Sequence, residues 1–314
     1  MPRLSVTLVL LTSTVLAGCA ATPDAGTAQA PLGVTWPGRT PELFAPGVVN
    51  TDGIEINLVF NKAYTELFFA RRIDGVFAIY TSRLAPDGWT TPEKLDLFPD
   101  NPAARAVDMA LSPDEQALYF LGILPGKTEG DDTETDIWVS DRTPAGWSAA
   151  RLVPAPVSTA HGESYPTLTA DGSLWFVSDR PESRSPRDLY RARPSTGGGF
   201  EAPVSIEPPI NTDWSKGDTV VAPDESYMVI TTGRPGGYGS GDLYIAFRTE
   251  DGAWTEPKNM GPRFNGPEVD FCPMISPDGR WFSFSRRFGK SWDTTTDAEI
   301  YWVDASVLDE LRPG

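Results

Sequence analysis

The sequence predicts an all-β fold: a single β-propeller of five four-stranded blades, its ring closed by an N-terminal strand completing the last blade. Two observations lead there, a strand–turn–strand unit that recurs five times and a strand-like segment standing alone near the start. The unit is an apolar strand, a Pro-Asp-Gly-type turn, a second strand of alternating apolar residues and a polar loop. Its clearest turns are Leu111-Ser112-Pro113-Asp114-Glu115, Leu168-Thr169-Ala170-Asp171-Gly172, Val221-Ala222-Pro223-Asp224-Glu225 and Ile275-Ser276-Pro277-Asp278-Gly279. A weaker first copy runs Phe60-Asn61-Lys62-Ala63-Tyr64. Successive copies lie roughly fifty to fifty-six residues apart, the length of a propeller blade.

Each turn is followed by a second strand: Leu67-Phe68-Phe69, Leu118-Tyr119-Phe120, Leu174-Trp175-Phe176, Met228-Val229-Ile230 and Phe282-Ser283-Phe284. Third strands open on Ala78-Ile79-Tyr80, Asp136-Ile137-Trp138, Asp188-Leu189-Tyr190, Asp242-Leu243-Tyr244 and Glu299-Ile300-Tyr301. Fourth strands are marked by an aromatic residue, at Trp89, Trp147, Phe200 and Trp254. One such sheet cannot bury both faces alone, so consecutive copies must stack about an axis and the ends must meet. The last copy has no fourth strand after it. The segment Gly38-Arg39-Thr40-Pro41-Glu42-Leu43 resembles that missing strand.

The first thirty residues are not part of this pattern. Arg3, the apolar run from Leu4 to Leu16 and the sequence Leu16-Ala17-Gly18-Cys19 match a bacterial lipoprotein signal, so residues 1–18 are expected to be removed and Cys19 to carry lipid. Residues 19–30, rich in Ala, Thr and Gly, are expected to be a flexible tether, and residues 31–314 the propeller domain. Lipidation consumes one of two cysteines. Cys272 then lacks a partner, and its apolar neighbours predict a buried, inert thiol.

With 26 basic against 43 acidic residues and a net charge of −17, the chain repels phosphate backbones and anionic lipid. Nucleic-acid binding is excluded on that ground, and membrane contact is expected through the lipid only. Ala20 after the lipidated Cys favours the outer membrane, facing the periplasm, in a Gram-negative cell.

The residues also resemble a known family, the WD-like propeller repeats of TolB-type bacterial envelope proteins. The resemblance rests on Gly233-Arg234-Pro235-Gly236-Gly237-Tyr238-Gly239-Ser240-Gly241-Asp242-Leu243-Tyr244, on the stretch from Trp254 to Pro262 followed by Phe264-Asn265, and on the ending Ile300-Tyr301-Trp302-Val303-Asp304. It extends from about Gly38 to Pro313. In that family the repeat also accompanies OmpA-like peptidoglycan-binding domains, and TolB-type proteins carry six blades and an extra α/β domain. Neither added domain is recognisable here, so the resemblance implies fold more than function.

Candidate site residues come from a recurrent charge pattern. Second strands end near Arg180, Arg234 and Arg287, as does the first near Arg72, and acids precede first strands at Glu55, Glu163, Asp218 and Asp270. All fall on one face of the disc, around the mouth of a central channel, where they are candidate ligand-binding residues. The competing expectation is that the arginines latch their own blades by pairing with the acids that open third strands, Asp188, Asp242 and Glu299. The inner acids would then be the better functional candidates.

Other clusters point to less. His161 is the only histidine and lacks a Gly-x-Ser-x-Gly elbow, so no catalytic residue is assigned. Glu129, Asp131, Asp132, Glu134 and Asp136 lack a calcium-loop frame, and neither a metal nor a cofactor is assigned. Trp89, Trp147 and Trp254 recur at one position and should pack between blades, whereas Trp36, Trp214 and Trp292 lie outside the repeat and are candidates for exposed contacts. The expected function is a non-enzymatic, cell-envelope lipoprotein scaffold that binds an envelope protein or an extracellular ligand. The alternative is a propeller glycan hydrolase or lyase using carboxylates at the channel mouth.

Overall fold

The Ser-Pro-Asp turns are closed by their own side chains. Ser112 Oγ donates to Asp114 Oδ1 at 2.6 Å and accepts the N–H of Ala117 at 2.9 Å, while Asp114 Oδ1 takes the N–H of Gln116. Ser276 and Asp278 repeat the arrangement with Arg280 and Trp281, as do Thr169 and Asp171 with Ser173. Short oxygen-bearing side chains thus satisfy the backbone where the ladder ends, which is why the motif forces a hairpin.

The computed structural model describes residues 31–124, 135–289, 291–292 and 294–313. The signal segment, the tether and the acids from Glu129 to Glu134 lie outside the described residues. Five antiparallel repeats follow one another. The first comprises Ile54–Phe60, Glu66–Ile73 and Val76–Ala85, flanked by Gly88–Trp89 and Glu93–Lys94; the second Arg105–Leu111, Ala117–Ile123 and Asp136–Thr143, flanked by Gly146–Trp147 and Arg151–Leu152. The third runs Glu163–Leu168, Leu174–Ser178, Asp188–Ala192 and Val204–Ser205, and the fourth Thr219–Val221, Tyr227–Thr232, Asp242–Phe247 and Lys258–Asn259. The fifth has Val269–Ile275, Trp281–Phe288 and Asp297–Asp304. Its outer partner is Glu42–Leu43, with Glu42 opposite Trp302 and Leu43 opposite Tyr301. A parallel bridge from Ile54 to Ala298 joins the first repeat to the last.

Packing between repeats is aromatic. Trp147 meets Phe68 of the preceding repeat edge-on at 5.8 Å, Phe200 meets Tyr119 at 6.0 Å, and Trp254 meets Trp175 at 6.3 Å. At the junction of the chain's ends Trp36 stacks on Trp281 at 4.8 Å and Phe44 lies edge-on to Trp302 at 4.9 Å. Trp36 is therefore a packing residue, not the exposed contact expected of it, because the N-terminal segment it belongs to is folded against the last repeat. Trp214 is exposed.

Three asparagines fix the links between repeats. Asn211 accepts the N–H of Leu189 and donates to its carbonyl, and Asn265 does the same to Leu243. Asn50 clips Ile300 likewise, and donates to Phe44 O as well. Each asparagine lies in the segment leading to the next repeat and grips a third strand, so it sets where the next first strand begins.

The first strands carry the feature that shapes the centre. In four of them the register slips by one bulge, and the residue in the bulge has left-handed backbone: Asn57 (φ 57°), Asp108 (φ 52°), Tyr165 (φ 54°) and Cys272 (φ 47°). Such backbone costs a non-glycine residue about 1–2 kcal/mol, and bulges re-aim side chains.

Candidate functional site

Along every first strand the residues pass from a wide cavity, through a narrow throat, to a shallow apolar funnel on the other side. The wide cavity, about 450 Å³, is reached by Ile56, Val107, Tyr165, Asp218 and Phe271; the throat by Asn57, Asp108, Tyr165, Asp218 and Cys272; the funnel, about 160 Å³, by Val59, Leu111, Leu168, Val221 and Ile275. The cavity and throat share Asp108, Tyr165 and Asp218, the throat and funnel share Thr167 and Met274, and each space draws on all five repeats.

The throat is acidic. Cys272 Sγ lies 3.2 Å from Asp218 Oδ1 and 3.6 Å from Asp108 Oδ1, and one donor atom from each of the three lies within 4.8 Å of the others. Asp108 and Asp218 are 8% and 9% exposed, and Cys272 is 2% exposed. Burial pushes both carboxyls above the usual range, and repulsion from Asp218 adds to the rise at Asp108. Burial, then the two carboxyls, raise the Cys272 thiol as well, so it is no nucleophile at neutral pH. The Asn57 side chain braces Asp108, taking its N–H at 3.2 Å and hydrogen-bonding its carboxyl.

Basic residues are among the described lining of the mouth. Arg105, Arg187, Lys216 and Arg287 line it, with Asp108 and Asp218 beneath. Lys216 is buried against Asp188 at 3.1 Å and also donates to Thr212 O. Arg287 lies over the ring of Trp292 at 4.6 Å, and Trp292 stands edge-on to Phe77 and Phe271 in the cavity wall.

Of the seven residues selected from sequence, Asp218 and Arg287 line this cavity. Glu55, Glu163, Asp270, Arg180 and Arg234 are not among its lining residues. Glu55 pairs with Arg71 at 2.8 Å, Glu163 with Arg180 at 3.3 Å and Asp270 with Arg286 at 2.7 Å, each acid being fully buried. The same arginines donate to carbonyls of the linking segments: Arg71 to Val48 and Val49, Arg180 to Pro156 and Val157, Arg286 to Phe264.

The latches therefore differ from the pairing expected. Arg180 binds the acid that opens the first strand, not Asp188, because the neighbouring antiparallel register sets Glu163 opposite Ser178 near the arginine. Asp188 instead takes Lys216 and the Arg184 N–H; Asp242 takes the N–H groups of Tyr238 and Gly239 and the amide of Asn259; Glu299 accepts from Tyr301. Arg234 lies over the ring of Tyr244 at 5.5 Å. In the arginine pairs Arg71-Arg72 and Arg286-Arg287 strand alternation divides the work: Arg71 and Arg286 latch, whereas Arg287 faces the cavity and Arg72 donates to Trp292 O at 3.1 Å. His161, partly exposed, is 3.8 Å from Asp179.

No family model matches this chain, and no curated protein matches it. Among solved structures, a protein assigned as TolB from Agrobacterium tumefaciens is similar at TM-score 0.50 and 16% identity, over 81% of this chain and 78% of that one. TolB from Acinetobacter baumannii gives TM-score 0.47 at 14% identity over 80% of this chain, which spans 54% of that protein. The α-L-arabinofuranosidase PaAbf62A from Podospora anserina, solved with cellotriose, gives 0.49 at 12% identity over 88% and 98%. The first of these supports the β-propeller fold and goes no further.

Proposed function

We propose that the chain is a cell-envelope lipoprotein whose repeats form a five-bladed ring, closed by Glu42–Leu43, that binds a small hydroxylated, anionic ligand in the axial mouth without cleaving it. One observation carries the reading. In a chain of net charge −17, four basic side chains among the described residues, Arg105, Arg187, Lys216 and Arg287, line one cavity of about 450 Å³ together with Asp108 and Asp218. Guanidinium groups suit carboxylate or phosphate oxygens, and Trp292, with Arg287 over its ring, adds an aromatic wall to the cavity.

The hydrolase alternative meets a geometric obstacle at this site. Asp108 and Asp218 are both buried, with one oxygen of each within 4.8 Å of the other, which leaves a glycosidic bond little access between them. The space between them is also filled by the Cys272 sulfur.

Calorimetric titration with glucuronate, galacturonate and their neutral sugars tests the proposal. Saturable binding of an acid form, lost in Arg287→Ala and weakened in Trp292→Ala, is the expected result. Release of nitrophenol from an aryl glycoside, abolished by Asp108→Asn, would replace binding with hydrolysis.

A further inference from the structure

We propose that Asp108, Asp218 and Cys272 form a binding site for a divalent transition-metal ion of the zinc class, set in the throat. The donors come from three repeats, so the fold, not a local loop, brings them together. Tetrahedral zinc with one sulfur at about 2.3 Å and oxygens at about 2.1 Å requires S···O separations of about 3.6 Å. The observed separations from Cys272 Sγ are 3.2 Å and 3.6 Å.

The narrow part of the throat, bordered by these three residues with Asn57 and Tyr165, has about 10 Å³ of free space, about the room of one small ion or water.

The donor chemistry selects the ion. Calcium and magnesium take six or more oxygens, whereas a thiolate beside two carboxylates suits zinc and its neighbours. Asn57, hydrogen-bonded to Asp108, would orient that ligand from outside the coordination sphere. Asp108 and Asp218 also line the wide cavity, so a fourth position opens toward whatever enters the mouth. The site stands on its own geometry and does not depend on the sugar-acid reading.

The test uses the full chain stripped with a chelator and titrated with Co²⁺, then Zn²⁺. One equivalent should bind with a thiolate-to-cobalt charge-transfer band. The band should vanish in Cys272→Ser, and affinity should fall about tenfold or more in Asp108→Asn and Asp218→Asn. X-ray absorption of the zinc-loaded wild type needs no variant to fold, and should show one sulfur at about 2.3 Å with the remaining ligands oxygen or nitrogen. No saturable binding, a band that survives in Cys272→Ser, displacement by excess Ca²⁺, or a coordination shell without sulfur would each overturn the assignment.

Discussion

Arg286 lies directly opposite Asp270 in the last repeat and holds its fully buried carboxylate at 2.7 Å while also donating to Phe264 O. Glu55 with Arg71 repeats this pairing across the first hairpin, and Glu163 with Arg180 repeats it in the third repeat. Each pair ties a first strand to its own hairpin and to the segment linking the preceding repeat. Arg286→Ala should therefore strand a buried carboxylate and cost about 3 kcal/mol in urea unfolding. A loss of only a few tenths would mean that the pair is worth no more than an exposed surface bridge.

Asn265 should be comparably sensitive although it carries no charge. It is 2% exposed, donates to Leu243 O and Asn259 Oδ1, and accepts the N–H of Leu243. Asn265→Ala leaves buried backbone groups without partners, at about 2 kcal/mol. Asn265→Asp keeps the acceptor but sets a buried carboxylate oxygen against the Leu243 and Asn259 oxygens, so at neutral pH it should be no more stable than Asn265→Ala. Equal stability of all three would show that water replaces the clip.

The strands were legible because their evidence is local: Pro-Asp turns, alternating apolar residues and a repeat length. The throat was not, although its positions share a signal. Asn57, Asp108, Tyr165, Asp218 and Cys272 each stand five places before the third residue of their turn motifs, Lys62, Pro113, Ala170, Pro223 and Pro277. A bulge turns four of them toward the axis, and a bulge leaves no mark on periodicity. Cys272 was correctly expected to be buried, but its contacts lie 54 and 164 residues away. The arginines mislead for a related reason. Side chains alternate along a strand, so choosing Arg287 over Arg286 selects the opposite face.

Lys216 provides a pH test at the cavity wall. Burial holds its ammonium below the ordinary value of 10.5 even with Asp188 beside it. At alkaline pH the unfolded chain therefore retains this proton where the native chain has lost it. Stability from this group is present above about 10.5 and is lost as pH falls through the native value. Wild type minus Lys216→Met, measured by urea unfolding at pH 7, 8, 9 and 10, should shift toward wild type as pH rises. A flat difference would show that the native ammonium titrates like an exposed one.

Lipid attachment is tested in cells. Cys19→Ser should move the protein from the membrane to the soluble fraction with an unchanged melting transition, since Cys19 precedes the propeller domain. A variant still retained by membranes would place the anchor elsewhere.

Closure of the ring is the last expectation, and it rests on what the N-terminal segment covers. Glu42–Leu43 lies against the outer edge of Asp297–Asp304, Phe44 N–H donates to Ile300 O at 2.9 Å, and Asp304 N–H donates to Gly38 O at 2.9 Å. Trp36 stacks on Trp281, and Phe44, fully buried, packs against Phe60 and Trp302, so this segment bridges the first and last repeats. Phe44→Ala should cost about 3–5 kcal/mol by leaving a cavity at that seam. Deleting residues 31–46 should do more, because it exposes a long strand edge as well as the aromatic seam, and such edges pair with other chains. The deletion variant should therefore unfold at lower urea and elute from size exclusion as aggregates, while Phe44→Ala stays monomeric and is merely destabilised. If the deletion variant melts as the wild type does and stays monomeric, the ring is held shut by the Ile54–Ala298 contact and not by the N-terminal strand.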